Sequence, residues 1–450
     1  MLKIYNTLSH SVEGFTSLAP QKVGMYSCGP TVYDYQHIGH MRRYVGDDIL
    51  VRVLKANKYN VHHVLNITDV GHLVSDSDTG EDKMEKGAKK FGLSVWDIAK
   101  KFEAQFKDSC KLLNITLPQD LMHATDYIPE QIELIKKLEE KGFTYTTKDG
   151  IYYDTSKFPD YFKLSRQNPE DLRAGMRVEM GEKKNVSDFA LWKFSPSGEK
   201  RQMEWESPWG IGFPGWHIEC SAMSMKALGP HFDIHTGGID HISIHHTNEI
   251  AQSEAATGET FANYWIHHAF LTVEGQKMSK SLGNFYTVED VKAKGFDPMA
   301  LRYLYLQTHY RQEMNFTWES LEAAQTALGK LRRYYLESRE GEAMLPVEFE
   351  DAINDDLNIA KALATVWEHI GNLTKSDFTK IDEVLGLKLA TYHEVEIEIP
   401  AAVRELVEQR EEARKNRDFA RSDELRDQIA SHGFDVMDTP SGQQLRPASK

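Results

Sequence analysis

Apolar positions along the chain alternate between two periods. Val23-Gly24-Met25-Tyr26-Ser27 is an apolar-to-polar run that reads as a buried strand ending at Cys28. Gly29-Pro30 breaks it, because Pro removes a ladder donor and Gly permits a tight turn. Apolar residues then recur at spacings of three and four (Met41, Tyr44, Val45, Ile49, Leu50, Val53, Leu54), predicting a helix over 41–57. Asn60–Ile67 (NVHHVLNI) predicts a second strand, and Thr68-Asp69 ends it at the same rim as Cys28. Strand, helix, strand implies a parallel sheet whose ligands sit at the strand carboxyl ends.

Downstream the pattern changes three times. GHLVSDSDTGEDKMEKG is polar and glycine-bounded, hence a surface loop; Asp76, Asp78 and Asp82 lack the spacing and terminal glutamate of a calcium loop. Helices are predicted over 94–113 and 129–141, and 143–204 reads as strands and charged turns, an inserted domain. The α/β pattern returns near Pro214: a helix through Leu228, a strand at Phe232–His235, a glycine turn, a helix from His245, and a strand over Trp265–Val273. From Asp297 the chain reads as helical, at 297–308, 316–339, 347–372 and 375–385. A linker over 389–400 precedes helices at 401–415 and 418–431 and a turn-rich tail. The predicted fold is a Rossmann-like α/β domain in two halves (1–120 and 205–270) around an insertion (121–204). A loop-bearing region (271–315), an all-α bundle (316–390) and a small C-terminal domain (396–450) follow.

Composition narrows this only a little. At 450 residues roughly three domains are expected. A net charge of −15 argues against indiscriminate nucleic-acid binding without excluding a local basic patch. Three cysteines, Cys28, Cys110 and Cys220, are too few and scattered for a disulfide framework. No apolar run is long enough to span a membrane, and MLKIYNTLSH reads as neither signal nor transit peptide, so a cytoplasmic protein without membrane partners is expected.

Three constellations carry chemistry. His37-Ile38-Gly39-His40 stands at a turn leading into a helix, where free N–H groups and the positive dipole end favour phosphate. Lys277-Met278-Ser279-Lys280-Ser281 lies on a glycine-flanked loop after a strand, two cations bracketing a hydroxyl as a clamp for phosphoryl charge. His245 and Glu249 share one helix face and, with Cys28 and Cys220 at element ends, supply ligand types that suit tetrahedral zinc. His246 is the rival ligand, about 100° further round the helix. Each constellation alone has an ordinary reading as well: solvated loop histidines, surface lysines, a surface contact, small buried thiols.

In combination, His37–His40 after a first strand and Lys277–Ser281 after a late one resemble the two signatures of class I aminoacyl-tRNA synthetases. Met25–Tyr33, Asn66–Asp69, Pro214–Met223, His245-His246 with Asn248–Ser253, and Lys277–Asn284 resemble the cysteinyl-tRNA synthetase family in particular, along essentially the whole chain. The resemblance implies Cys28, Cys220, His245 and Glu249 as ligands of one zinc ion, and His37, Gly39 and His40 as the ATP-phosphate signature. It implies Lys277 and Lys280 as the mobile loop, with Lys280 the main ATP contact. Asp240 would hold the adenylate ribose, and Thr68, Trp216 and His235 would line the amino-acid pocket. Arg414, Phe419, Asp423 and Asp438 would meet the anticodon. The implied partners are L-cysteine, tRNA(Cys), and ATP with magnesium, and a monomer is expected. Zinc would solve a selection problem, since serine differs from cysteine by one atom and pocket shape discriminates such pairs weakly.

Three departures stand out. Thr236 replaces the first glycine of a three-glycine turn, a stretch of extra residues follows Asp69, and Leu445-Arg446 stands where the family's tail has a tryptophan. Two other readings share these residues: a ligase passing cysteine to a small amine, as in mycothiol biosynthesis, and a non-catalytic tRNA-binding paralogue.

Overall fold

The structure, a computed structural model, describes residues 1–71, 82–168, 182–196, 201–392, 400–439 and 442–447. Asp76 and Asp78 of the expected loop, and most of the expected 389–400 linker, lie outside those residues. By internal contacts the chain falls into two units, Met1–Val291 with Asp297–Ala390, and Lys292–Phe296 with Thr391–Lys450.

The first unit opens with a hairpin of β1 (Lys3–Asn6) and β2 (Ser11–Gly14). β3 (Lys22–Ser27) then leads through the Gly29-Pro30 turn into α1 (Ile38–Ala56) and back along β4 (Asn60–Ile67). A β-carbon on Gly29 would overlap the Asn66 carbonyl, so this crossing of strand ends requires glycine. α2 (Lys83–Phe91) and α3 (Val95–Leu112) follow, then β5 (Asp120–His123) and α4 (Ile128–Glu140). α2 went unpredicted; Asp82 caps it, accepting from Met84 and Glu85 N–H and pairing with Arg201, which accounts for that acid without calcium. Cys110 is buried in α3 as an ordinary core thiol.

An antiparallel sheet of β6 (Thr144–Thr146), β7 (Gly150–Tyr153), β8 (Phe189–Phe194) and β9 (Gly212–Pro214) forms the insertion. The sheet runs past residue 204, and β5 straddles residue 121. α5 (Trp216–Leu228), β10 (Phe232–Gly238), α6 (His245–Thr257) and β11 (Ala262–His268) complete a parallel sheet ordered β11-β10-β3-β4-β5. β10 and β11 are buried almost throughout, as a parallel sheet covered on both faces demands. The strand expected over 265–273 is two: β11 and β12 (Leu271–Val273), which leaves the sheet to pair with β13 (Met314–Phe316).

Helices α7 (Val288–Ala293), α8 (Pro298–Leu306), α9 (Trp318–Glu337), α10 (Val347–Asn354), α11 (Ile359–His369) and α12 (Lys375–Leu385) carry the chain onward. The helix expected over 347–372 is broken between α10 and α11, where Asp356 and Leu357 take positive φ (55° and 53°). Tertiary bonding explains the break. The Asp356 carboxylate accepts from Tyr5 N–H (2.8 Å), Tyr310 OH (2.6 Å) and Arg311 Nε (2.7 Å), which a continuous helix would not allow. Among the described residues no helix is long and apolar enough to cross a membrane.

In the second unit α13 (Ala401–Lys415) packs on α14 (Phe419–Ser431), burying Val403, Ala413, Leu425 and Ile429. The tail is not a string of turns. β14 (Phe434–Thr439) and β15 (Gly442–Pro447) form an antiparallel hairpin with Val436 opposite Leu445.

Candidate active site and metal centre

His37 is the N-cap of α1. Its Nδ1 accepts from the N–H groups of Gly39 (3.1 Å) and His40 (3.2 Å). The Ile38 N–H bonds the Tyr286 carbonyl (2.9 Å) and the Met41 N–H bonds the His37 carbonyl (3.1 Å). The first turn therefore has no free N–H to offer a phosphate, contrary to expectation, and an anion here must be met by side chains. With Nδ1 accepting, the His37 proton is assigned to Nε2. Burial lowers the imidazole to about 4, so at neutral pH it is an uncharged Nε2–H donor. The His40 ring stacks on it, centroids 3.5 Å apart.

The lysine loop lies against this turn. A β-carbon on Gly39 would come within 2.5 Å of Met278 Cε, so the two stretches approach closely here. Phe285 meets the His37 ring edge-on at 5.2 Å. The Lys280 ammonium pairs with Asp34 and sits 4.8 Å from the centre of the Phe285 ring, while Lys277 is exposed. Two signatures far apart in sequence thus touch through Gly39 and Met278. Asp34 was not anticipated; a lone acid in a polar turn gives no signal of its own.

Cys28 follows β3, Cys220 lies on α5, and His245 opens α6 with Glu249 one turn on. Their donor atoms all lie within 4.8 Å of one another, fully buried. His245 Nε2 is 3.0 Å from Glu249 Oε1, and Cys28 Sγ is 3.9 Å from the same oxygen. A second set shares Cys28 and Glu249 and adds His235 and His246. His246 Nε2 lies 3.3 Å from Cys28 Sγ, so its turn round the helix does not carry it away from the cluster, contrary to the helical-wheel argument. α6 is buried on every side of its first two turns, and Cys28 belongs to both sets.

Charge in this buried cluster is arranged around the carboxylate. Burial alone would raise Glu249, but the His235 and His245 imidazoles pull it down to about 2. Burial would lower His245, yet Glu249 and Cys220 raise it to about 10. Burial and a hydrogen bond to Cys220 hold the Cys28 thiol well above its ordinary value, while the same bond draws Cys220 down. The donor set of two sulfurs, an imidazole and a carboxylate oxygen fits a borderline-soft divalent cation, which would take the place of these protons.

A further layer orients the donors. His245 Nδ1 is 2.9 Å from His217 Nδ1, and Glu249 Oε2 is 2.9 Å from His235 Nε2. His246 Nδ1 is 2.8 Å from His267 Nε2, whose Nδ1 is 2.8 Å from Thr7 Oγ1. Sequence reasoning missed His217 and His267; the His267-His268 pair closing a strand at the shared rim was the available signal.

The expected pocket residues divide. His235 stacks on Trp265 (4.6 Å) and holds Glu249, and the Trp216 ring lies 4.6 Å from His245, so both border the cluster. Thr68 Oγ1 donates to Glu219 Oε2 (3.3 Å) and accepts from Asn66 Nδ2 (2.9 Å). Asp240 is exposed just beyond β10, its carboxylate folded against Gly238. Thr236 has no positive φ and donates to Ser27 Oγ (2.8 Å), so threonine fits where the family's pattern has glycine. In the second unit Arg414 and Asp423 are exposed, Asp423 pairing with Arg426 at 3.3 Å, and Phe419 is 62% exposed at the start of α14. Asp438 sits on β14 opposite Gln443; its side chain lies outside the described residues.

Comparison with known proteins gives the family. The family model described as tRNA synthetases class I (C) catalytic domain matches residues 14–326, and that of the cysteinyl-tRNA ligase anticodon binding domain matches 397–446. The chain is 50% identical to cysteine–tRNA ligase 1 of Burkholderia lata, over 99% of this chain and 96% of that protein. It is 42% identical to the cysteine–tRNA ligase of Treponema denticola, over 97% and 98%. In fold it resembles Mycobacterium tuberculosis methionyl-tRNA synthetase in complex with methionyl-adenylate (TM-score 0.58, 15% identity, 81% of this chain and 88% of that one). It also resembles the LeuRS of an Agrobacterium radiobacter ternary complex (0.58, 12%, 84% of each). With a class I catalytic match over most of its length and relatives spanning nearly all of it, the chain belongs to the cysteine–tRNA ligase family of the class I aminoacyl-tRNA synthetases.

Proposed function

We propose that the chain joins L-cysteine to tRNA(Cys) with ATP, through a cysteinyl-adenylate, as a cytoplasmic monomer. The observation that carries this reading is the convergence of Cys28, Cys220, His245 and Glu249 at the carboxyl rim of the parallel sheet. That set is preferred over the one with His235 and His246 because it brings two sulfurs. Zinc held there would supply a thiol-selective contact for the substrate sulfur, which a serine hydroxyl matches poorly.

The chain's other residues position and neutralise. Trp216 and His235 wall the amino-acid pocket, and Thr68 orders its floor through Glu219. The cysteine carboxylate attacks the α-phosphorus of ATP and pyrophosphate leaves, with magnesium accompanying the nucleotide. His37 and His40 donate Nε2–H to phosphate oxygens, Lys280 exchanges Asp34 for the developing phosphate charge, Lys277 adds a second cation, and Asp240 holds the ribose. The terminal adenosine hydroxyl of the tRNA then attacks the aminoacyl carbonyl and releases AMP. Arg414, Phe419, Asp423 and Asp438 are proposed to meet the anticodon. The match of residues 397–446 to an anticodon-binding domain favours tRNA over a small amine as acceptor, and the intact histidine and lysine pairs favour catalysis over binding alone.

Metal analysis alongside cysteine-dependent pyrophosphate exchange tests the reading. One zinc per chain is expected, and Cys220→Ser should lower metal content and cysteine affinity together. Unchanged cysteine affinity in a correctly folded Cys220→Ser protein removes the recognition role. Adenylate formation without any charging of tRNA points to the small-amine ligase.

A further inference from the structure

In a chain of net charge −15, Lys86, Lys89, Lys90, Lys100, Lys101 and Lys111 on α2 and α3 are exposed. Two of them converge on one aromatic ring. Lys90 Nζ lies 4.7 Å and Lys101 Nζ 4.5 Å from the centre of Phe91. Tyr35, 37% exposed, packs edge-on against Phe91 (6.4 Å) and Phe102 (5.0 Å), and Trp96, 43% exposed, stands one turn before Lys100. Among the described residues, the carboxylate paired with Lys90 is that of Asp34, at 3.6 Å, and it is shared with Lys280 of the loop. Two ammonium groups, those of Lys90 and Lys280, thus share one carboxylate beside the proposed ATP site. Asp97 is committed elsewhere, to capping α3 with Ser94.

An excess of cations interleaved with half-exposed aromatic rings suits single-stranded nucleic acid: phosphates meet the ammonium groups, and unpaired bases stack. We propose that Lys90 and Lys101, with Tyr35, Phe91 and Trp96, form a docking surface for the unpaired 3′ end of the tRNA, holding its backbone as the terminal hydroxyl enters the adenylate site. The proposal rests on the tRNA-charging reading and adds a tRNA contact in the first unit. Because Asp34 links Lys90 to Lys280, a phosphate arriving at Lys90 competes with that carboxylate.

The test is steady-state charging of tRNA(Cys) by the full chain carrying Lys101→Ala, and Lys90→Ala with Lys101→Ala, across a salt series. The double variant should raise KM for tRNA about fivefold or more. Its log–log dependence of kcat/KM on salt should be shallower by about 1.4, two contacts at about 0.7 each for single strands. KM for ATP in pyrophosphate exchange should move less than twofold, and Lys90→Arg with Lys101→Arg should restore tRNA binding. Unchanged tRNA KM and salt slope overturn the proposal. So does a parallel shift in the ATP and tRNA constants, which would mean that the lysines act only through Asp34 on Lys280. Lys101→Ala touches no group of the ATP site and keeps these outcomes separable. A wild-type protein that charges no tRNA would sink the functional reading itself.

Discussion

His37 holds two jobs that a single substitution can separate. Its Nδ1 caps α1 and its Nε2 is the proposed phosphate donor. His37→Ala should lose both: about 1 kcal/mol of stability, the usual value of a cap, and about 100-fold in the rate of adenylate formation. His37→Asn should recover the melting temperature, because Asn caps well, while the rate stays low. Recovery of both would leave the imidazole with a structural role only. At this scale the sequence was legible where chemistry and spacing coincide. Cys28, Cys220, His245 and Glu249 could be grouped because their types suit one ion, and all four meet. His246, named as the rival ligand, was placed away from the cluster because the helical wheel assumes one inward face, and α6 has no outward one in its first turns.

Among elements, the informative contact is that between the helix-initiating turn and the lysine loop. Gly39→Ala puts a methyl group where Met278 Cε now rests, and Met278 has a flexible side chain that can give way. The expected result is a rise of about tenfold in KM for ATP with a melting temperature within a degree or two of wild type, measured by pyrophosphate exchange and thermal unfolding. An unchanged ATP constant would show that the loop does not need this seat. Periodicity predicted most helices of the first unit to within a few residues, because an apolar face repeating every three or four residues is set by packing on one side. It failed at 347–372, where Asp356 draws bonds from Tyr5, Tyr310 and Arg311, all distant in sequence. Asp356→Ala should cost about 1–3 kcal/mol in urea unfolding, since it strands two half-buried donors and the exposed Arg311 together. The β14–β15 hairpin was missed for another reason. Its strands are short and polar, and cross-strand pairing leaves no local period when few residues face a core.

Over the whole molecule, one buried residue ties the sheet-bearing part of the first unit to its helices. Arg302 bonds Asp48 on α1 (2.6 Å), the carbonyls of Leu113 (2.9 Å) and Asn114 (3.2 Å) after α3, and that of Leu385 at the end of α12 (2.8 Å). Burial alone would raise the Asp48 carboxyl, but Arg302 and Arg52 hold it below its ordinary value. A depressed carboxylate adds stability above the unfolded pKa of about 3.9 and loses it as pH falls through the lower folded value. Asp48→Asn should therefore cost about 3–5 kcal/mol at pH 7 by leaving Arg302 charged and unpaired. The gap between wild type and variant should narrow below about pH 4 in urea titrations. A gap independent of pH would mean that shape, not charge, matters at this position.

The second unit sets the other question of scale, how labour is divided along the chain. Every residue proposed for adenylate chemistry lies in the first unit, and the family match to an anticodon-binding domain lies in the second. Phe419 opens α14 with 62% of its surface exposed, an apolar ring that contributes little to its own core and is free to stack. A stacked base is worth about 1–3 kcal/mol on alanine substitution, so Phe419→Ala should cut kcat/KM for tRNA(Cys) by about fivefold to a hundredfold. Cysteine-dependent pyrophosphate exchange, which needs no tRNA, should keep its cysteine and ATP constants. The same charging defect on a minihelix lacking the anticodon would place the loss elsewhere on the tRNA and withdraw Phe419 from anticodon reading.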